Sequence, residues 1–416
     1  MTLRDFRKAG HWPTLLSAFL YFDVSFMIWM LIGSMGGILA REFQLSDASK
    51  GLMVAVPTLG GAFLRLVLGV MTDRLGARRT ALLGMTLTAL PLLLGWRWVE
   101  SYQQMLLVGL MLGVAGASFA AALPLASRWY PPECQGLAMG IAGAGNSGTA
   151  LATFFAPKLA VAYGWHAVFG IALLPLGLVW IIFFLLAKDS PTQPVPRPMR
   201  EYGTVLSYRD TWLFCGFYAI TFGGFVGLAG YLNIFFGDQY KVSSIRAGEF
   251  ATLCVIAGSC LRPVGGYLSD RFGGIRMLVI LLCSVGIAMF GLSTLPGQVL
   301  GVSLMFVALG SLGMANGAVF QLVPLRFVKE VGVVTGLVGA AGGFGGFLLP
   351  FALGQLKGLT GSFSTGFMVF GSIALTASVI MTQVGRSWEQ TFVGRGGKVG
   401  ALTQPEPYST AEPSIA

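Results

Sequence analysis

GLMVAVPTLGGAFLRLVLGVMTDRLGARR (residues 51–79) and FATLCVIAGSCLRPVGGYLSDRFGGIR (residues 250–276) repeat one pattern in the two halves of the chain. In each stretch an arginine, Arg65 or Arg262, stands inside a long apolar run, and an Asp-Arg pair and a basic, glycine-containing turn follow it. A charged side chain in a bilayer is costly, so it is kept where it pairs, lines a cavity or meets a ligand. The two stretches therefore predict spanning helices that turn two cations inward, at corresponding depths, as a site for an anion.

The composition is that of an integral membrane protein. Of 416 residues, 55% are hydrophobic and 11% are charged, and the mean hydropathy is +0.75. Continuous apolar runs predict helices, whereas an outer-membrane barrel would show short alternating segments. Twelve runs lie at 14–40, 49–71, 80–98, 104–127, 137–160, 166–187, 211–236, 247–268, 276–294, 298–324, 332–355 and 362–384. The first lacks a cleavage site and is longer than a signal peptide, so we expect a permanent span.

Positive charge is distributed unevenly along the chain, which carries a net charge of +10. With the N-terminus inside, most lysines and arginines fall in cytoplasmic segments and few fall in outer ones. This bias predicts a multi-pass protein of the cytoplasmic (inner) membrane with both termini in the cytoplasm. The basic balance therefore indicates topology, and we expect the lipid bilayer rather than nucleic acid as the partner.

The cysteines and histidines form no pattern typical of an enzyme. The five cysteines lie in or near apolar runs without a CxxC spacing, so we expect neither a disulfide framework nor a metal site. His11 and His166 lie near span ends without a nucleophile or a metal-ligand arrangement, so we expect no enzyme activity and no cofactor. A membrane-bound sensor would be expected to carry a sizeable signalling domain, and a transporter is favoured over it.

A proline- and charge-rich interruption divides the chain into two units. It covers 188–210, with six apolar runs before it in 1–187 and six after it in 211–384. The remaining segment, 385–416, is rich in Gly, Pro and Ser and is predicted to be a disordered cytoplasmic tail.

The two units echo each other at a nearly constant offset. Arg65 maps onto Arg262 with a shift of 197, and the glycine-rich stretch 140–157 maps onto 336–350 with a shift of 196. Many secondary transporters consist of a duplicated six-helix unit with the substrate site between the halves. We therefore predict an all-α integral membrane fold of twelve transmembrane helices in two pseudo-symmetric six-helix bundles.

Two interpretations of the arginines can be compared. Guanidinium presents a planar donor fork that matches a small oxyanion, so Arg65 and Arg262 could clamp one between the halves. A structural ion pair would instead need acids, and the spans contain only Asp23 and Glu249. Glu249 opens its span at the outer end, about three helical turns from Arg262. At least one arginine is then expected to lack a protein counter-ion, which favours anion binding.

Asp23, in FLYFDVSFMIW (19–29), also has two interpretations. A desolvated carboxylate can titrate near neutral pH, so Asp23 could carry a proton and couple transport to a proton gradient. Alternatively it forms a fixed ion pair with an arginine, or a hydrogen bond near the cytoplasmic vestibule. The sequence leaves these alternatives open.

Glycine-rich stretches at 140–148 and 336–346 have the small-xxx-small spacing that lets helices approach to backbone contact. Tight packing alone would explain them. The alternative is that close packing also narrows the pore for a small substrate, and that these helices slide or bend as it closes. The glycines assigned to that movement are Gly143, Gly145, Gly339 and Gly343.

Two uncharged amide side chains lie within apolar runs: Asn146 in the fifth run and Asn316 in the tenth. Each offers an N–H donor to an anion. Each could equally bridge two helices, because polar side chains hold neighbouring spans together.

The repeated loops after the second and eighth runs carry Asp73-Arg74 and Asp270-Arg271. A charge network there could hold neighbouring helices in one conformation and release them in another, as a conformational switch. Positive-inside anchoring explains the arginines without a switch, but it does not explain the aspartates.

These loops, GVMTDRLGARRT (69–80) and GGYLSDRFGGIR (265–276), resemble the cytoplasmic signature of the major facilitator superfamily, and the resemblance covers all twelve runs. Within that superfamily the chain is similar to the nitrate/nitrite porter family. AGAGNSG (142–148) and GLVGAAGGFGGFLLP (336–350) resemble its two glycine-rich nitrate signatures, and LRPVGGYLSDRFGG and NGAVFQLVP also match. The resemblance implies the major facilitator fold.

Positions that match the family imply a set of substrate-binding residues. The two substrate arginines fall on Arg65 and Arg262, and the pore asparagine falls on Asn146. The remaining matches are the tyrosine at Tyr218 and the aromatic clamp at Phe26, Phe119 and Phe222. The second glycine signature has Gly342 where the first has Asn146, so the implied site is only partly symmetric.

The implied function is secondary active transport of nitrate, and also of nitrite, by alternating access in a functional monomer. FLYFDVSFMIW resembles the branch associated with nitrate assimilation, which implies proton symport. The alternatives are nitrate/nitrite antiport and a facilitator of another small inorganic anion, which would use the same physical chemistry.

Overall fold

A computed structural model of the protein describes residues 3–190, 199–327 and 331–398, which are almost entirely helical. The predicted all-α class is therefore confirmed. Helices are required of a chain that crosses lipid, because the hydrocarbon offers no hydrogen-bond partner to the backbone. Short helices at Leu3–Ala9 and Met199–Leu206 precede the first and seventh spans.

Twelve helical segments correspond to the twelve predicted runs. Spans 1–6 are 12–42, Asp47–Leu75, Ala77–Arg97, Tyr102–Ser127, 132–163 and Trp165–Leu186. Spans 7–12 are Arg209–Tyr240, Ser244–Phe272, Gly274–Ser293, Gln298–Arg326, Val331–Thr360 and Ser364–Glu389. Within the described residues, eleven helices are long and apolar enough to cross a membrane by themselves, and the exception is the broken span 5. The chain is a multi-pass membrane protein.

Spans 2 and 8 have the same construction. Asp47–Leu75 and Ser244–Phe272 are both 29 residues long, and the arginine, Arg65 or Arg262, is the nineteenth residue of each. The offset of 197 residues therefore holds over both helices. Ten residues separate each arginine from the last residue of its helix, which is a rise of about 15 Å. Both guanidinium groups thus originate near mid-membrane.

The sequence marks both ends of these two helices. Ser46 and Ser243 cap the N-termini by accepting a hydrogen bond from a backbone N–H three residues on, at 3.3 Å in each case. Gly76 and Gly273 follow the C-termini with φ of +89° and +100°, a conformation that a side chain disfavours. The next span can therefore begin at once, with a short basic turn between the two helices.

Spans 1, 4 and 5 are interrupted near the middle of the membrane. Span 1 breaks at Met30 and again at Met35, and span 4 breaks between Gly116 and Phe119. Span 5 passes through a 3₁₀ turn at Ala144–Ser147. Irregular backbone at this depth is tolerated where it is buried in protein or lines a cavity. The three interruptions are therefore expected in the interior of the bundle, either buried in protein or beside a cavity.

An ion-pair cluster joins the two halves at the outer end, the end away from the basic loops. Lys50 contacts Asp47 and Asp238 at 3.0 and 2.9 Å, and Lys357 contacts the same two carboxylates at 3.1 and 2.6 Å. We call these four residues the outer ion cluster. It connects span 2 of the first half to spans 7 and 11 of the second, and so it holds the outer end closed.

Further contacts close the outer end. Spans 5 and 8 are joined by the ion pair between Lys158 and Glu249, at 3.1 Å, and by the hydroxyls of Thr153 and Thr252, which are 2.9 Å apart. Glu249, one of the two acids expected within the spans, is thus paired far from Arg262. Arg41 of span 1 also donates to a span 8 hydroxyl at 2.8 Å.

The inner end, which carries the basic loops, has a cavity instead. The inner cavity has a volume of about 350 Å³ and lies between spans 2, 4 and 5 of the first half and span 11 of the second. Its walls include Arg65 at the deep end and Asp73 and Arg128 near the mouth. We call this arrangement, which is closed at the outer end and open at the inner end, the inward-facing state.

The C-terminal segment differs from the prediction. Residues 385–389 belong to span 12, and the turn after it packs on the start of span 9, so 385–398 are ordered. The carbonyls of Gly396 and Gly397 accept hydrogen bonds from the N–H groups of Arg276 and Gly274, at 3.2 and 3.3 Å. Glycine can adopt the positive φ that this turn requires, and a helix N-terminus needs such acceptors. Residues 399–416 lie outside the described residues.

We predict that replacing Lys357 shifts the protein away from the inward-facing state. Lys357→Gln removes two contacts of the outer ion cluster, whose ion pairs are partly exposed and together contribute roughly 1 kcal/mol. That corresponds to about a fivefold change in the ratio of the two states. A cysteine placed at Thr335, in the inner cavity of a variant without native cysteines, should react more slowly with a thiol reagent. Lys241→Gln is the matched control, because Lys241 lies at the same end. Equal rates in both variants would contradict the prediction.

Candidate anion-binding site

Arg65 is buried at the centre of the molecule, with only 2% of its surface exposed. Its Nε donates to the Gly116 carbonyl at 3.0 Å, and its Nη1 donates to the Gly339 carbonyl at 2.7 Å. Gly116 belongs to span 4 and Gly339 to span 11, so the guanidinium joins the two halves. Its Nη2 is buried and has no hydrogen-bond partner among the described residues. Arg65 therefore faces inward, as predicted, with one nitrogen available to a ligand.

The surroundings of Arg65 favour a positive charge without supplying a negative one. Gly116 ends the first helix of span 4, where backbone carbonyls lack intrahelical partners and the helix dipole is negative. The rings of Phe222, Trp29 and Phe119 lie 4.7, 5.4 and 5.8 Å from the guanidinium carbon. Aromatic faces attract cations, more strongly where water is excluded.

Arg262 lies on the other side of the interface between the halves. It is half-buried, and its buried Nη1 has no partner within the described part of the chain. The Tyr218 hydroxyl lies near its guanidinium, and both groups lie close enough to Arg65 to interact electrostatically with it. The structure thus brings Arg65, Arg262 and Tyr218 together.

Carboxylates do not accompany the two arginines. Neither guanidinium lies within 4.0 Å of a carboxylate oxygen in residues 3–190, 199–327 and 331–398. Asp23, the acid that the sequence left as a possible partner, instead accepts a hydrogen bond from the Ser147 hydroxyl at 2.7 Å. These observations argue against a structural ion pair and leave two adjacent positive charges for a ligand to balance.

Six aromatic rings form a closed circuit through both halves. Successive ring centroids are between 4.4 and 6.5 Å apart, and Tyr218 and Phe222 stack with an interplanar angle of 9°. In order, the aromatic circuit consists of Phe22, Phe26, Phe222, Tyr218, Phe320 and Phe119. Rings packed in this way lower the local dielectric constant beside the arginines, which strengthens the charged contacts there.

Sequence reasoning missed three of the aromatic residues at this site: Phe22, Phe320 and Trp29. Phe22 precedes Phe26 by one helical turn, and such spacing could have indicated a shared face. Phe320 follows Asn316 by four residues, which is a similar signal. In a chain with 31 phenylalanines, however, spacing alone does not distinguish a ring at the site from one that faces lipid.

Asn146 lies in the 3₁₀ turn of span 5 and is fully buried. Neither its amide nitrogen nor its amide oxygen has a hydrogen-bond partner in the described ranges. Its backbone carbonyl accepts from the Ser259 hydroxyl of span 8 at 3.5 Å, one turn before Arg262. Asn146 therefore lies at the interface between the halves with a free side chain, as expected of a ligand-binding amide.

The glycines of span 5 have different surroundings. A methyl group at Gly148 would lie 1.8 Å from the Asp23 carbonyl oxygen, and one at Gly145 would lie 2.9 Å from the backbone nitrogen of Asp23. At Gly143 a methyl group would meet no described atom within 4 Å. Gly145 and Gly148 thus let the broken helix contact span 1 directly, whereas Gly143 faces open space.

In span 11, Gly339 and Gly343 have neighbours from the first half. Gly339 provides the carbonyl that Arg65 contacts, and a methyl group there would lie 3.8 Å from Phe119. A methyl group at Gly343 would lie 3.0 Å from Cα of Ala62 in span 2. At Gly342, where the repeat lacks an asparagine, it would lie 2.6 Å from Tyr218. Small residues are therefore needed where span 11 packs beside the arginine.

The four loop residues predicted as a switch are not equivalent. Asp73 pairs with Arg128 of span 4 at 3.1 Å, within its own half. Asp270 is exposed and has no ion pair with any residue that the structure describes. Arg74 and Arg271 are also exposed. In this state only the first loop forms the network that the sequence predicted for both.

The family of the chain follows from comparison with known proteins. A family model described as Major Facilitator Superfamily matches residues 17–350. The chain belongs to this superfamily. Its members are transporters and not enzymes, and the predicted architecture of two six-helix bundles is confirmed.

Curated relatives place the chain within the superfamily. It is 34% identical over 362 residues to the probable nitrate/nitrite transporter NarK2 of Mycobacterium tuberculosis, covering 85% of this chain and 91% of that protein. It is 32% identical to the nitrite extrusion protein of Bacillus subtilis, with coverages of 86% and 90%. It is 31% identical to the probable nitrate/nitrite antiporter NarK1 of Thermus thermophilus, with coverages of 85% and 87%. The predicted resemblance to the nitrate/nitrite porter family is confirmed.

Solved structures of major facilitators share the fold. A bacterial homologue of the human lysosomal transporter Spinster, inward-facing and occupied, aligns with a TM-score of 0.70 at 18% identity, covering 90% of this chain and 97% of that one. The xylose transporter XylE from E. coli, partially occluded and inward open, aligns with a TM-score of 0.69 at 14% identity, with coverages of 91% and 99%. At such identities the likeness concerns the fold alone.

We predict opposite outcomes for two glycine substitutions in span 5. Gly148→Ala forces a methyl group into the backbone of span 1, and overpacking of this kind costs about 1–3 kcal/mol. Gly143→Ala adds a methyl group in open space and improves helix propensity. Melting of the detergent-solubilised protein should show a lower Tm for the first variant and an unchanged or higher Tm for the second. Equal Tm values would mean that span 5 does not pack on span 1 as described.

Proposed function

We propose that this protein moves nitrate and nitrite across the cytoplasmic membrane by alternating access. The observation that carries the proposal is the pair Arg65, which is buried, and Arg262, which is half-buried; they lie near each other without a neighbouring carboxylate in the described ranges. Two uncompensated cations in a medium of low dielectric constant repel each other and attract an anion. The names of the relatives indicate which anions these are.

The size and charge of nitrate and nitrite suit this site. Both are small, planar and singly charged, and their oxygens accept charge-assisted hydrogen bonds from guanidinium. Arg65 offers Nη2 and Arg262 offers Nη1, while the aromatic circuit restricts the space around them. The Asn146 amide adds an uncharged donor at the same interface.

The contacts between the two halves support a change between an inward-facing and an outward-facing state. In the inward-facing state the outer ion cluster is formed and the inner cavity reaches Arg65. We propose that 1–187 and 211–384 rock about the bound anion, joined by the linker 188–210, with both termini in the cytoplasm. Phe119 and Phe320, whose ring centroids are 6.0 Å apart, would close the inner side as span 10 approaches span 4.

Asp23 provides a route for proton coupling. Its carboxylate accepts a hydrogen bond from Ser147, next to Asn146 in the interrupted part of span 5. Protonation would weaken this acceptor bond and release the segment that carries Asn146. We propose on this basis that the protein is a proton symporter, which a functional monomer can perform.

Nitrate/nitrite antiport is the second candidate function, favoured by the similarity to the probable nitrate/nitrite antiporter NarK1 of Thermus thermophilus. Uptake into proteoliposomes separates the two, because symport responds to an imposed inward proton gradient and antiport responds to nitrite trapped inside. Inhibition by excess chlorate, cyanate or phosphate, compared with nitrate itself, tests whether the substrate is another small anion.

We predict that Arg65→Lys reduces nitrate uptake by about 10- to 100-fold. Lysine keeps the charge, but it cannot hold two backbone carbonyls and present a further planar donor, and each charge-assisted bond contributes about 1.5–3 kcal/mol. Radiolabelled nitrate uptake into proteoliposomes measures the effect. Arg97→Lys is the control, since Arg97 packs on Trp96 away from the site. Normal transport by Arg65→Lys would disprove recognition by the guanidinium.

We also predict that Asp23→Asn abolishes acceleration by an inward proton gradient. Asparagine still accepts the hydrogen bond from Ser147 but does not titrate, so basal nitrate movement should remain while its dependence on the gradient disappears. Asp73→Asn, which alters a carboxylate at the mouth of the inner cavity, should keep the dependence. Gradient-driven uptake that persists in Asp23→Asn would assign coupling to another group.

A further inference from the structure

Asn316 in span 10 and Thr221 in span 7 are both fully buried. The amide nitrogen and oxygen of Asn316 and the hydroxyl of Thr221 have no hydrogen-bond partner in the parts of the chain described. Several other threonines in the spans, among them Thr80, Thr88 and Thr252, donate to the carbonyl four residues back, and Thr252 does so to Gly248 at 2.7 Å. Buried polar groups without partners are unfavourable, so such groups point to a ligand.

Helix geometry places Asn316 against span 7. Leu312 and Phe320, four residues to either side, lie on the same helix face as Asn316. Phe320 packs edge-on against Tyr218 at 4.9 Å. A methyl group at Gly224 would lie 3.2 Å from the Leu312 side chain. Asn316 therefore faces span 7 between Tyr218 and Gly224.

Thr221 lies at the level of Asn316, because it is midway along span 7 between Tyr218 and Gly224. The adjoining residue of span 10, Gly317, packs on span 8, where a methyl group on it would lie 2.6 Å from the carbonyl oxygen of Arg262. Tyr218, one turn from Thr221, lies near the guanidinium of Arg262. Asn316 and Thr221 thus lie beside the arginine of the second half.

Donors available to an anion are few at the arginines themselves. Arg65 uses Nε and Nη1 for the carbonyls of Gly116 and Gly339, and Nη2 is its buried nitrogen without a partner. Arg262 contributes Nη1. Nitrate has one oxygen more than nitrite, so it can accept hydrogen bonds from a further donor in addition to these nitrogens and the Asn146 amide.

The internal repeat does not single out Asn316 as a donor. Gly342 stands where the second half would repeat Asn146, so span 11 supplies no amide. The offset of 197 instead places Asn316 on Phe119, which has no polar side chain. The second half therefore obtains its amide from a different helix, and no symmetry argument reveals it.

We infer that Asn316 and Thr221 form a substrate-positioning pair that donates hydrogen bonds to the third oxygen of nitrate and so favours nitrate over nitrite. This inference rests on the proposed function. It assigns the pair to the half that contains Arg262, and it makes selectivity between the two anions depend on two uncharged side chains.

The test uses two nearly isosteric variants, Asn316→Leu and Thr221→Val, in purified full-length protein. Removing a donor to an anion should weaken nitrate binding by about 10- to 100-fold, while nitrite binding changes less than about threefold. The Tm without anion should be unchanged or higher, because an apolar group replaces a buried polar group without a partner. Both quantities come from the rise in Tm with nitrate or nitrite concentration.

Asn233→Leu is the matched control. Asn233 is also buried, but its amide donates to the Ser244 carbonyl at 3.2 Å and accepts from Gly37. This variant should lose Tm without changing the ratio of nitrate to nitrite affinity. If Asn316→Leu behaves in the same way, or leaves the ratio unchanged, the inference is wrong although the transport function stands. If the unaltered protein binds neither anion, the proposed function fails and the inference fails with it.

Discussion

A charge without a counter-ion is strongly disfavoured in hydrocarbon, and Arg65 and Arg262 occupy the middle of the membrane without a carboxylate beside them in the described residues. Partial charges are what the protein offers instead. Arg65 receives two backbone carbonyls and three aromatic faces, and a tyrosine hydroxyl lies near Arg262. These groups make the cations tolerable without neutralising them, so the remaining positive potential is available to a substrate.

The broken helices follow from the same constraint. A continuous helix satisfies its own carbonyls, whereas the interruption after Gly116 leaves one free to accept from Arg65. The 3₁₀ turn of span 5 presents Asn146 at the interface and places the Asp23 carboxylate against Ser147. Such segments are held by few internal hydrogen bonds, so the elements that form the site are also those that can move between states.

The duplicated architecture provides symmetry in position but not in chemistry. Spans 2 and 8 agree in length and in the place of the arginine. In contrast, Asp73 has an ion pair in its loop and Asp270 has none in the described residues. A small anion has few oxygens and does not need every donor of two guanidinium groups. It can therefore bind between two unequal halves, because each half contributes different groups around it.

Hydropathy by itself determined the twelve spans, their offset of 197 residues and the inward direction of both arginines, because lipid permits only helices and penalises exposed charge. Only the tertiary structure decided which faces meet. Lipid-facing and interior-facing residues are both apolar in these helices, so periodicity cannot identify the core side. The aromatic circuit with Phe22 and Phe320 and the level shared by Asn316 and Thr221 depend on how the helices are rotated and staggered. The same is true of the ion pairs that join Lys50 and Asp238 across 188 residues of chain.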